Sequence, residues 1–134
     1  MNKKGYTIIE LLAVIAIIGL LFTIAIISYS GLINKANETV YKNYINSMHE
    51  AAITYFTDNV LISNETIYLN DLIAQNKIEE INNPKNNSDK CTSTNRANDS
   101  YIVATRNDEN GVISIEYSVY LKCIDYSGHG DFVN

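Results

Sequence analysis

The sequence predicts an α+β protein in which one long N-terminal α-helix packs against a small antiparallel β-sheet. Three observations lead there. Residues 11–27 carry no charge. Apolar residues at helical spacing then continue without proline to Asp58. Far along the chain, two runs at residues 101–105 and 112–121 alternate apolar and polar around a turn. The length of 134 residues bounds this to one modest core. The net charge of -5 argues against a basic nucleic-acid binder.

The first element is a cationic leader followed by an apolar run. Lys3 and Lys4 precede Gly5, and the stretch from Tyr6 to Ile27 is broken by a single acid, Glu10. At about 1.5 Å per helical residue these 22 residues span about 33 Å, close to the hydrocarbon core of a bilayer. The two lysines place the N-terminus in the cytoplasm and the rest outside. No A-x-A-like cleavage site follows the run, so it is expected to stay as an anchor. Glu10 does not fit a plain anchor. A carboxylate at such depth costs about 2 kcal/mol or more and asks for a partner.

Lys3-Lys4-Gly5, then Tyr6-Thr7-Ile8-Ile9-Glu10-Leu11-Leu12, resembles the prepilin signature of type IV pilins and pseudopilins. The resemblance covers residues 3 to about 26. It implies the type IV pilin fold and cleavage by a prepilin peptidase between Gly5 and Tyr6. It also implies methylation of the new Tyr6 amine. Glu10 then falls where the family places its acid, five residues after the cut, and would neutralise the Tyr6 amine of a neighbouring subunit. Gly19 matches a helix-loosening glycine. Ile27 departs from the family, many of whose members have proline there; Gly19 and the 28–31 stretch are the remaining weak points. The implied divisions are a cleaved leader at 1–5, a membrane and filament-core helix at 6–31, an amphipathic half at 32–59 and a globular part at 60–134.

In the amphipathic half, Ile33, Ala36, Val40, Tyr44, Met48, Ala51 and Tyr55 step by three or four, and Ile45, Ala52 and Phe56 widen the stripe. Glu38 and Lys42 form a favourable i,i+4 pair. With the apolar half this makes one helix of about fifty residues, about 75 Å long. His49 has no second histidine at zinc-protease spacing, so no metal is expected there.

Beyond residue 59 the chain turns polar. Asn70 or Asp71 is expected to cap a short helix holding Leu72, Ile73 and Ile78. Residues 82–89 read as a loop containing Pro84, the chain's single proline. The two alternating runs pair across a turn at 107–111, where Asn110 or Gly111 can take positive φ. That pairing puts Ile102 and Ala104 on the face of Ile115 and Tyr117, which should cover Tyr44, Met48 and Tyr55. His129 is expected in a flexible tail. Two or three strands alone are marginal and need the helix and a cross-link. The cysteine count of two fits one disulfide in an exported domain, Cys91 to Cys123, and the family often has such a C-terminal region.

No P-loop, G-x-S-x-G or triad appears, so no catalytic residue, cofactor or metal is expected. Asp125 and Asp131 match no calcium-loop spacing. The ten tyrosines suit packing, and any exposed ones suit adhesion. The resemblance therefore implies a structural subunit of a type IV pilus serving adhesion, twitching motility or aggregation. Its expected partners are copies of itself, the prepilin peptidase, the pilus assembly machinery and, before assembly, the cytoplasmic membrane. No direct nucleic-acid contact is expected. A minor pilin, or a pseudopilin of a type II secretion or DNA-uptake system, shares the same N-terminus. A membrane-anchored binding domain is the further alternative, and Glu10 speaks against it. The richness in Asn, Ile and Lys fits an AT-rich genome and a Gram-positive host.

Overall fold

The computed structural model describes Gly5 and residues 7–133. The chain divides into two compact units, one ending at Ala36 and the other beginning at Asn37. Helix α1 (Ile8–Asp58) contributes to both.

In the first unit α1 is unbroken, through Gly19, Ile27 and residues 28–31 alike. Its large apolar side chains are exposed, Ile9 at 79% and Leu20 at 66%. Thr23 Oγ1 donates to the Gly19 carbonyl at 2.9 Å and Ser30 Oγ to the Ile27 carbonyl at 3.1 Å. These hydroxyls spend their hydrogen bonds on their own helix, so the apolar surface keeps no unpaired side-chain donor at those two positions.

The second unit holds the core. After α1 come β1 (Glu65–Tyr68), α2 (Leu69–Ala74), β2 (Asn82–Asn83), β3 (Asn86–Lys90), β4 (Tyr101–Glu109), β5 (Val112–Cys123) and β6 (Tyr126–Val133). Strands β1-β4-β5-β6 form one antiparallel sheet in that order, and β2 and β3 form a separate ribbon. The register pairs Ile67 with Ile102, Ile102 with Val119, and Ala104 with Tyr117. Directly opposed residues share a face, so all of these point one way, and all are buried. Ile102 and Ala104 thus lie on the expected face with Tyr117 and Ile115.

Five expectations are corrected. The covered stripe of α1 starts later than the apolar spacing suggested. Ile33 and Ala36 are exposed, whereas Tyr41, Ile45, Met48, His49, Ala51, Ala52 and Phe56 are buried; Tyr44 and Tyr55 sit half-buried at the margins. Second, the hairpin turn contracts from five residues to two. Asn107, Asp108 and Glu109 pair with Ser114, Ile113 and Val112, leaving Asn110 and Gly111 at φ 55° and 79°. Two consecutive positive φ values suit the right-handed twist of the flanking strands and let pairing run to the tip. Third, neither Asn70 nor Asp71 caps α2. The N-cap position is Tyr68, which offers no side-chain bond, and the Asp99 carboxylate accepts the Asn70 N–H at 3.0 Å. Ile78 lies beyond the helix end. Fourth, residues 82–89, expected as a loop, supply β2 and most of β3.

The fifth correction concerns His129, which stands in β6 rather than in a flexible tail. The inward positions of β6 are Tyr126, Gly128, Gly130 and Phe132, and the two glycines hide the apolar alternation. They also permit a close approach. A Cβ on Gly130 would lie 2.8 Å from Ile45 Cγ2, and one on Gly128 2.9 Å from Ile45 Cδ1. The β6 backbone therefore rests directly on α1. Tyr126 stacks on Tyr41 at 3.6 Å between ring centroids, and Phe132 stacks on His49 at 4.0 Å. The Tyr41 hydroxyl donates to Asn83 Oδ1 at 2.9 Å, satisfying a buried polar group against the β2–β3 ribbon. On the outer face, Tyr68, Tyr101, Tyr120 and His129 stand opposite one another across all four strands.

Candidate assembly site

The residues expected to guide assembly cluster at the start of α1. Thr7 is followed three residues later by Glu10, and the pair closes a reciprocal cap. The Thr7 N–H donates to Glu10 Oε2 at 2.8 Å, and the Glu10 N–H faces Thr7 Oγ1 at 3.4 Å. The first amide groups of a helix lack intrahelical acceptors, and a Thr-x-x-Glu spacing answers two of them at once. The carboxylate also sits at the positive end of the helix dipole. The sequence signal for this cap is Thr7 three residues before Glu10, at the head of the apolar run.

Glu10 is exposed in the single chain, and Gly5 has no heavy atom near the place a Cβ would occupy. Tyr6, assigned the cut and the methyl group, lies outside the described residues. Behind Glu10 the most apolar 18-residue window of α1 has a mean hydropathy of 2.9 and none of it is buried in the chain. It is long and apolar enough to cross a membrane. Gly19 lies within this stretch with nothing near its would-be Cβ, so it has no packing duty in the single chain. The geometry places an exposed acid at one end of an uncovered apolar stretch of helix.

The family model for the prokaryotic N-terminal methylation motif matches residues 1–26. A 58-residue stretch is 41% identical to the type IV wide pilus major component PilA4 of Thermus thermophilus. The chain is similar to type IV pilins over part of its length. The matched stretch covers 43% of this chain and 44% of that relative's length. No solved structure matches the chain at a significant level.

The two cysteines expected to pair lie in the second unit. Cys91 and Cys123 are bonded, with their Cα atoms 4.3 Å apart, and tie the segment after β3 to the end of β5. Ser100 reinforces the junction. Its hydroxyl donates to the Cys91 carbonyl at 2.7 Å and accepts the Lys122 N–H at 2.8 Å. Beside the disulfide a polar cleft of about 580 Å³ opens, lined by Asp89, Lys90, Thr92, Asn98, Lys122 and Ile124 among others. The Lys122 ammonium donates to the Ala97 carbonyl at 3.2 Å and stands over the Tyr101 ring. Among the described residues no carboxylate pairs with it. His129 and Asp131 stand 3.0 Å apart on the outer face, with Ser118 donating to the same carboxylate oxygen.

Proposed function

We propose that the chain is a structural subunit of a type IV pilus, made as a membrane-anchored precursor and assembled into a surface filament. The observation that carries this reading is the exposed apolar stretch of α1 with Glu10 at its N-terminal end. Transfer of that stretch from lipid to neighbouring helices exchanges one apolar environment for another and costs little hydrophobic free energy. Position along the filament is then set by charge. Cleavage after Gly5 frees the Tyr6 amine, one residue before the Thr7 cap. Glu10 of an adjacent subunit meets that amine and holds the register. Such a pair in apolar surroundings is favoured over two separate charges, and its worth lies in specifying position more than in adding stability.

In this reading the outward-facing domain forms the filament coat and carries adhesion or aggregation contacts. The partners are further copies, the prepilin peptidase and the assembly machinery. Expression of the chain with its native assembly genes, followed by shearing and gold labelling, tests the role. Labelling along the filament length supports a major subunit. Labelling confined to tips or to the membrane assigns it instead to the minor pilins or pseudopilins, a reading that Ile27 in place of proline also suits.

A further inference from the structure

The two ends of β5 carry complementary surfaces that cannot meet within one chain. At one end is the β4–β5 hairpin tip. Asp108 and Glu109 stand there exposed, and among the described residues neither has an ion-pair partner. Beside them Val112 and Ile113 are 69% and 53% exposed. Arg106 binds the Leu61 carbonyl at 2.9 Å and its N–H donates to Asn64 Oδ1 at 3.1 Å. These bonds bring the exposed Val60 and Ile62 to the same end. At the other end of β5 is the cleft beside the disulfide. It offers Lys122, whose ammonium pairs with no carboxylate among the described residues, and Ile124, 70% exposed; of the other charged groups in its lining, Lys90 is paired with Glu80 and Asp89 accepts from the Asn86 side-chain amide.

We infer that the acidic hairpin tip of one subunit docks into the Lys122 cleft of a second copy. The charges are opposite, each is unpaired in the single chain, and each lies beside exposed apolar side chains. Eleven residue steps separate Val112 from Cys123, and at about 3.4 Å each the two surfaces lie about 37 Å apart. Only another copy can join them. Unlike surfaces at opposite ends make a head-to-tail contact, which propagates in one direction and does not close on a dimer. The inference rests on the filament reading above and adds a contact between coat domains to the one between apolar helices.

The test uses filaments of the full chain. Zero-length carbodiimide cross-linking joins an amine to a carboxylate only where they touch. Wild-type filaments are expected to give a Lys122 peptide joined to the peptide holding Asp108 and Glu109. At that separation the link forms only between copies. A second measurement reverses charges. Lys122→Glu alone, or Asp108→Lys with Glu109→Lys, should weaken the contact about three- to fivefold per subunit, read as earlier heat- or salt-induced shedding of sheared filaments. Combining both reversals should restore wild-type behaviour. Circular dichroism of the detergent-extracted subunits checks that each variant folds. Intact filaments that lack the cross-link and ignore the reversals overturn this contact and leave the filament reading standing. Lys122 cross-linked to a different protein gives the cleft another occupant and likewise overturns it. Failure of the wild-type chain to enter filaments removes both.

Discussion

Thr7 and Glu10 cap the first turn of α1 reciprocally, with the Glu10 carboxylate 2.8 Å from the Thr7 N–H. The acid therefore has an intramolecular partner before any neighbour arrives. On the proposed pilus reading, entry into a filament would be an exchange, in which the carboxylate turns from its own cap toward an adjacent amine.

Glu10→Ala removes both partners' acceptor. The lost cap costs about 1 kcal/mol of local helix stability, which the long apolar stretch tolerates. Membrane fractionation should show unchanged insertion, and the sheared filament fraction should fall at least severalfold. Thr7→Val loses only the cap, and filaments should persist. Normal filament yield from Glu10→Ala removes the register role.

His49 lies buried against Phe132 and Tyr117, and its Nε2 has no hydrogen-bond partner. Burial pushes its pKa below the ordinary 6.5, opposed weakly by Glu50. The unfolded chain then binds the proton more readily than the folded one. The stability due to neutral His49 is complete above pH 6.5 and is lost as pH falls through the lower folded-state value. The melting-temperature difference between wild type and His49→Phe should change across that window and be constant above it. A flat difference contradicts the buried neutral imidazole.

Gly130→Ala places a methyl 2.8 Å from Ile45 Cγ2. Denaturant unfolding should show a loss of about 1–3 kcal/mol. Ile45→Ala in the same chain should make Gly130→Ala markedly less costly, because the clash partner is gone. Simple additivity of the two substitutions contradicts the direct seating of β6 on α1.

The Cys91–Cys123 bond closes a loop with a sequence separation of 32. Its removal by paired Cys91→Ala and Cys123→Ala should cost about 3–4 kcal/mol on the chain-entropy model. The loss is expected in denaturant titration under non-reducing conditions, with filament entry through α1 retained.

Periodicity made the long helix and the central hairpin legible, because both place large apolar side chains at regular intervals. It failed where function of position replaced hydrophobicity. β6 escaped notice because Gly128 and Gly130 occupy its inward sites, chosen for closeness to Ile45. β1 has only Ile67 buried, too little to show an alternation. The Asn-rich β2–β3 ribbon is held partly through Asn83, a buried amide that reads as a loop residue. Tyr41 and His49 were missed on α1 because a tyrosine and a histidine look polar, yet each stacks on an aromatic ring of β6. The motif singles out Glu10, whereas the cap between Thr7 and Glu10 hides within that same motif.

The most direct measurement is mass spectrometry of the intact chain from purified filaments. The account predicts a polypeptide that begins at Tyr6 with a methylated amine. A filament-borne chain still carrying residues 1–5 would leave no free amine beside Thr7 for Glu10 to meet, and would contradict it.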